Sequence, residues 1–167
     1  MADKLTKQRR SWNMSRIRST DTKPEMVLRS VLHRMGFRFQ LHRKDLAGRP
    51  DIVLPKYQTV IFVHGCFWHQ HSGCNEAVRP KTNKEYWTKK LDGNVKRDKK
   101  NRSALRRDGW KVLRFWECQI EKDPIGIAIR IEKELRGITR NAKDYSFPSR
   151  SELLRVAGSR AGGKKKT

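Results

Sequence analysis

Thr59-Val60-Ile61-Phe62-Val63-His64-Gly65-Cys66-Phe67-Trp68-His69-Gln70-His71-Ser72-Gly73-Cys74 is the stretch around which this chain is organised. Its first five residues, Thr59 to Val63, are β-branched or aromatic and read as a buried strand. Gly65 then breaks the strand into a loop. The stretch holds two of the chain's three cysteines and three of its five histidines, with the aromatic pair Phe67-Trp68 between them. Packing alone gives no reason for an apolar strand to empty into such a loop. A metal-tied loop beside a catalytic or nucleic-acid-contacting site does.

Upstream, Asp51-Ile52-Val53-Leu54 reads as a short strand that turns through Tyr57-Gln58 into the central one. Phe37, Phe39 and Leu41 alternate with polar residues, so a third, half-buried strand is expected and the three form a meander. Before it, Thr22 to Glu25 has the pattern of a capping box, and Val27, Leu28, Val31, Leu32 and Met35 recur at helical spacing up to Gly36. Downstream, Thr82 to Glu85 repeats the box and opens a helix to about Arg107, kinked or interrupted at Gly93, with Trp87, Leu91, Val95 and Leu105 as its apolar stripe. Trp110 to Trp116 reads as another strand. Strand, helix, strand implies a right-handed parallel crossover. Asp123, Pro124 and Gly137 bound a last amphipathic helix carrying Ile127, Ala128, Ile131 and Leu135. The class is α/β, a mixed sheet flanked by helices.

The chain has 167 residues, enough for one ordinary domain. Forty Lys and Arg face 17 Asp and Glu, a formal charge of +23, which predicts a polyanionic partner through counterion release. Nucleic acid leads; a membrane partner is not expected, since no long apolar segment exists. Residues 1–20 carry Lys4, Lys7, Arg9, Arg10, Arg16 and Arg18 against Asp3 and form a basic arm. Its Trp12, Met14 and Ile17 suit either a loosely docked helix or apolar tips that wedge between bases. Residues 21–137 form the main domain, and 138–167 a basic tail expected to be disordered. Met1 to Arg10 has no apolar core of the kind a secretory signal needs, so a cytoplasmic location is expected. An odd cysteine count in that compartment favours metal ligation over disulfides.

Cys66, His71 and Cys74 supply three soft or borderline ligands within nine residues. Cys118 follows the last strand, and a parallel neighbour would bring it to the same sheet edge as Gly65. Four such ligands make a closed, structural zinc site, the alternative being free buried cysteines and an unrelated histidine. Asp51 falls near the mouth where His64 and His69 emerge, and a carboxylate there can hold Mg²⁺. The two histidines, not needed by zinc, suit phosphate contact or proton transfer. Asp98 lies on the inward stripe of a helix otherwise covered in Lys and Arg, either paired with Arg102 or orienting a histidine. Glu25 is explained equally by its cap. Phe67 and Trp68 suit base stacking, whereas Trp87 shares a core-packing stripe with Leu91.

The run V-H-G-C-F-W-H-Q-H-S-G-C, with G-R-P-D upstream, N-V-K-R-D, W-K-V-L-R-F-W-E-C and the opening N-M-S-R-I-R-S-T-D-T-K-P-E, resembles the very short patch repair (Vsr) DNA mismatch endonuclease family over residues 8–136. The resemblance implies a restriction-endonuclease-like fold with one structural zinc, and a monomer that nicks duplex DNA 5′ of the thymine in a T·G mismatch left by 5-methylcytosine deamination. By position, Asp51 and the Val63 backbone carbonyl would ligate Mg²⁺ and His64 would contact phosphate. His69, supported by Asp98, would transfer the proton, with Glu25 ordering metal-bound water. Cys66, His71, Cys74 and Cys118 would hold zinc. Phe67, Trp68 and Trp87 resemble the family's intercalating aromatics, and Met14 and Ile17 its minor-groove arm. Downstream repair proteins would be further partners. Val63 stands where a threonine is usual, the loop has one residue more before its second cysteine, and the basic tail has no counterpart.

Overall fold

The computed structural model describes Thr6, Gln8, Arg9, Trp12 and residues 19–137. Met14, Ile17 and the tail from 138 lie outside the described residues. The elements run α1 (Lys23–Arg34), β1 (Ile52–Leu54), β2 (Thr59–His64), α2 (Lys84–Arg107), β3 (Lys111–Trp116), α3 (Glu117–Lys122) and α4 (Pro124–Arg136).

The sheet has three strands in the order β1-β2-β3, with β2 antiparallel to β1 and parallel to β3. Every residue of β2 is buried, as befits a strand covered on both faces. Its side chains alternate between two layers. Ile61 and Val63 join Ile52, Leu54 and Phe115 under α1, α3 and α4, whose Leu28, Leu32, Ile120 and Ile131 are fully buried. Val60 and Phe62 face the other way, against Val53 and Leu105 of the long helix α2. Emptying this core is costly: truncating Ile61 to alanine removes about 2–5 kcal/mol.

The parallel pairing runs from Thr59 opposite Lys111 to His64 opposite Trp116. Both strands therefore end at one edge of the sheet, and the loop after β2 meets the start of α3. That is the placement the cysteine argument requires. At the other side of the site, Gly48 has a φ of +75°, and a side chain there would stand 2.7 Å from Asn101 Nδ2. Only glycine lets the Gly48-Arg49-Pro50 turn, which leads into Asp51, approach α2 so closely.

Several expectations need correction. Phe37 to Leu41 forms no strand; a single bridge pairs Gln40 with Val53, with two hydrogen bonds of 2.8 Å. β1 is only three residues long, and His42, at φ +50°, turns the chain away just after the Gln40 bridge. Thr82 caps nothing: α2 starts at Lys84 behind Asn83, which has left-handed dihedrals. α2 is also continuous through Gly93, and Val95 on its expected stripe is exposed. The short helix α3 was not anticipated; Gln119 Oε1 accepts from the Trp116 N–H at its start. The last helix does begin and end where Asp123 and Gly137 place it, with the Asp123 carboxylate accepting from the Gly126 N–H at 2.8 Å.

Candidate active site and metal centre

The Cys/His loop closes on itself through the His69 N–H to Gly65 carbonyl bond (3.1 Å) and the His71 N–H to Cys66 carbonyl bond (3.0 Å). Cys66, His71, Cys74 and Cys118 present ligand atoms that all lie within 4.8 Å of one another. His71 Nδ1 stands 3.4 Å from both Cys66 Sγ and Cys118 Sγ. A tetrahedral centre with metal–sulfur bonds of about 2.3 Å and metal–nitrogen bonds near 2.0 Å needs S···N edges of about 3.5 Å. The donor set and its dimensions therefore fit a tetrahedral cation. His71 is held in orientation by stacking on Trp116, with ring centroids 4.2 Å apart and planes at 15°. Burial, with the neighbouring thiols, pushes the Cys66 thiol up to about 12. A cation is what turns such a buried thiol into a thiolate ligand. The Glu117 carboxylate accepts the Cys66 N–H at 3.1 Å, a brace that the sequence did not reveal.

Two walls face one another across a cleft of about 910 Å³, lined among others by Glu25, Asp51, His64, His69 and Asp98. On the imidazole wall, β2 alternation puts His64 on the α2 side with Phe62, and the loop folds His69 back over it. The two rings stack with centroids 3.9 Å apart and planes at 16°. His69 Nδ1 lies 2.6 Å from Asp98 Oδ2. Of the two partners open to Asp98, the carboxylate has taken the histidine. An Nδ1–H donated to Asp98 leaves His69 Nε2 as the proton acceptor. Burial raises the Asp98 carboxyl, but the His69 hydrogen bond foremost, with the electrostatic pull of the neighbouring imidazoles and Arg102, outweighs it and holds it below its ordinary value. Burial foremost, then the His69 charge, drops His64 to about 3, so that His64 is a neutral imidazole.

On the carboxylate wall, Asp51 Oδ2 accepts the Val63 N–H at 2.7 Å. Burial, reinforced by the Glu25 charge, pushes the Asp51 carboxyl up to about 7, against the Val63 N–H and the charges of Arg29 and His42. Two carboxylates that repel each other along one wall are relieved by a divalent cation, and their oxygens are the hard donors such a cation prefers. Glu25 is buried and is no simple cap: it accepts from Thr22 Oγ1 (2.7 Å), the Asp21 N–H (3.0 Å) and Arg29 Nη2 (2.8 Å). Arg29, itself buried, also reaches Asp21 Oδ1 at 2.5 Å and the Asp51 carbonyl at 3.3 Å, and lies 3.4 Å from His42 Nε2. Arg29, Asp21 and His42 were missed. Only the i, i+4 spacing of Glu25 and Arg29 gave a signal, and it reads like an ordinary surface pair.

Phe67, Trp68 and Trp87 form one half-buried aromatic cluster, with centroids 5.0 to 6.2 Å apart. Tyr86 packs edge-on against Trp87 at 5.3 Å and is exposed, extending the cluster outward. Lys90 Nζ stands over three of these rings, 5.4 to 5.7 Å from their centroids. Trp87 thus serves the cluster rather than the core.

A highly cationic protein that sets Asp51 and the buried Glu25 opposite a carboxylate-braced imidazole, in an open cleft, falls in the class of DNA endonucleases. Comparison with known proteins narrows this. The profile of DNA mismatch endonuclease Vsr matches residues 2–76. The type II nicking enzyme V.XorIIP of Xanthomonas oryzae pv. oryzae is 48% identical over 120 residues, covering 72% of this chain and 88% of that protein. The type II nicking enzyme V.NmeAIP of Neisseria meningitidis serogroup A is 42% identical over 144 residues, 86% and 99% of the two chains. DNA mismatch endonuclease Vsr of Escherichia coli K12 is 44% identical over 120 residues, 72% and 76% of the two. The chain belongs to the Vsr DNA mismatch endonuclease family, and DNA is its substrate. No helix among the described residues is long and apolar enough to cross a membrane.

Proposed function

We propose that this endonuclease nicks one strand of duplex DNA on the 5′ side of the thymine in a T·G mismatch arising from 5-methylcytosine deamination. The observation that carries the reading is the 2.6 Å contact of His69 Nδ1 with Asp98, opposite Asp51 in one cleft. Residues 21–137 form the catalytic domain, of restriction-endonuclease-like type, acting as a monomer between a basic arm and a basic tail. Asp51, with the Val63 backbone beside it, holds Mg²⁺. When bound, that ion supplies positive charge to the phosphate and lowers the pKa of water.

The remaining work falls to the chain. His69 Nε2 moves the proton, while Asp98 fixes its tautomer and steadies the ring when it gains charge. Neutral His64 offers a hydrogen bond to the phosphate without competing for that proton. Glu25, clamped by Arg29 and Thr22, orders water at the carboxylate wall. Cys66, His71, Cys74 and Cys118 hold zinc, which stiffens the loop carrying His69. Phe67, Trp68 and Trp87, with Tyr86 beside them, enter the base stack at the mismatch, and Met14 and Ile17 of the arm reach the minor groove.

Strand-resolved cleavage of labelled duplexes, matched or carrying one T·G pair in several sequence contexts, tests the reading. A single Mg²⁺-dependent nick 5′ of the T, lost with EDTA and absent from the matched duplex, is the expected result. Two of the three relatives named above are called type II nicking enzymes, which favours a second reading: nicking of an intact sequence. Cleavage of the matched duplex at equal rate would establish that alternative. Metal analysis of the purified protein should return one equivalent of zinc per chain; none would sink the zinc assignment.

A further inference from the structure

Arg102 lies on α2, one helical turn beyond Asp98, and lines the same cleft as His64 and Asn101. Its Nε is buried and has no hydrogen-bond partner among the described residues. The same is true of Nδ1 of His64, a residue only 4% exposed. Asp98, the carboxylate whose charge is felt here, is already engaged by His69. Arg114 of β3 adds a second positive charge, its guanidinium lying over Trp116 at 4.7 Å. Burial first, and then repulsion from Arg102, hold Arg114 below its ordinary pKa.

A buried guanidinium nitrogen left without an acceptor, beside a like charge, costs stability unless a ligand completes it. Among the described residues, Arg29, whose Nε also lacks a partner, has its terminal nitrogens answered by Asp21 and Glu25, whereas Arg102 makes no ion pair. Here an unanswered guanidinium N–H and an unpartnered imidazole nitrogen belong to residues lining the one cleft that receives a polyanion. The planar guanidinium edge, Nε with a terminal Nη, matches two non-bridging oxygens of one phosphodiester.

We propose that Arg102 is a phosphate-holding residue of the cleft, forking onto the non-bridging oxygens of one DNA backbone phosphodiester seated beside His64. The proposal rests on the DNA-nicking reading for its substrate. It assigns a role to a residue outside the set that reads the mismatch or moves the proton.

The test is equilibrium binding of the full chain to a labelled T·G duplex, without divalent cation so that nothing is cut, over a range of salt. Arg102→Gln should weaken binding about tenfold at low salt and reduce the slope of log K against log salt by about 0.9, one phosphate's worth. Methylphosphonates placed singly along the cut strand should then abolish the difference between wild type and Arg102→Gln at one position or two adjacent ones. Unchanged affinity and slope would overturn the proposal, and so would a difference that persists equally at every neutralised phosphate. The thermal midpoint should hold or rise in Arg102→Gln, because an unanswered buried donor has been removed. A fall would make Arg102 a structural residue instead, again against the proposal. Failure of the wild type to nick T·G duplexes would sink the function reading alone, since binding is read without cleavage.

Discussion

The two walls of the cleft contrast in how their charges are answered. On the carboxylate wall the groups answer each other. Glu25 accepts three donors, and Arg29 spends both terminal nitrogens on Asp21, Glu25 and the Asp51 carbonyl, so that only its Nε lacks a partner among the described residues. On the imidazole wall only His69 and Asp98 are mutually satisfied, while His64 Nδ1 and Arg102 Nε are left without partners among the described residues. The first wall is a closed network whose remaining stress is electrostatic, the Glu25 charge acting on Asp51. The second is an open set of donors. A cation relieves the first and an anion completes the second, which is the pairing that a metal-assisted attack on a phosphodiester needs.

The comparison breaks most visibly at its proton-transfer pair. His69→Ala should lower the nicking rate by about 10²–10⁴-fold while DNA affinity holds. Asp98→Asn, which keeps the shape and loses the charge that steadies the imidazole, should lower it by about 10–100-fold. Because Asp98 acts through His69, the double variant should be no slower than His69→Ala alone. Single-turnover nicking rates of the three variants check this. Additive losses would show Asp98 acting on its own, and the imidazole wall would then have no internal orienting pair.

How far the chain could be read without coordinates follows the same division. Cys118 was placeable beside Cys66 because strand, helix, strand forces parallel neighbours, whose ends share an edge. Asp98 stood out because a carboxylate on an inward stripe of a basic helix asks for a partner. Arg29, Asp21 and His42 gave no such sign. Their contacts depend on left-handed backbone at Asp21 and His42, at φ +54° and +50°, which Asp and His tolerate but do not dictate. The expected strand at Phe37–Leu41 failed for a related reason: alternation marks a half-buried extended segment, but not whether a neighbour offers a long enough edge. Phe37 is buried and Leu41 exposed, so the alternation did not mark one face of a strand.

The carboxylate wall makes the smallest and most specific prediction, through pH. In the metal-free fold burial, together with Glu25, raises the Asp51 carboxyl from 3.8 to about 7. A raised carboxyl means that the fold holds a proton the unfolded chain releases. Metal-free stability contributed by this group is therefore present below 3.8 and lost as pH climbs towards 7. A cation at Asp51 must displace the same proton. Mg²⁺ affinity should thus fall about tenfold for each pH unit below 7 and level off above it. Calorimetric Mg²⁺ titrations from pH 5.5 to 8 measure this, and Asp51→Asn should remove both the binding and its pH dependence. A flat profile across that range would mean that Asp51 enters the site already ionised, with Arg29 and His42 compensating the Glu25 charge. The carboxylate wall would then be settled before any metal arrives, and the need for a cation would have to come from the phosphate alone.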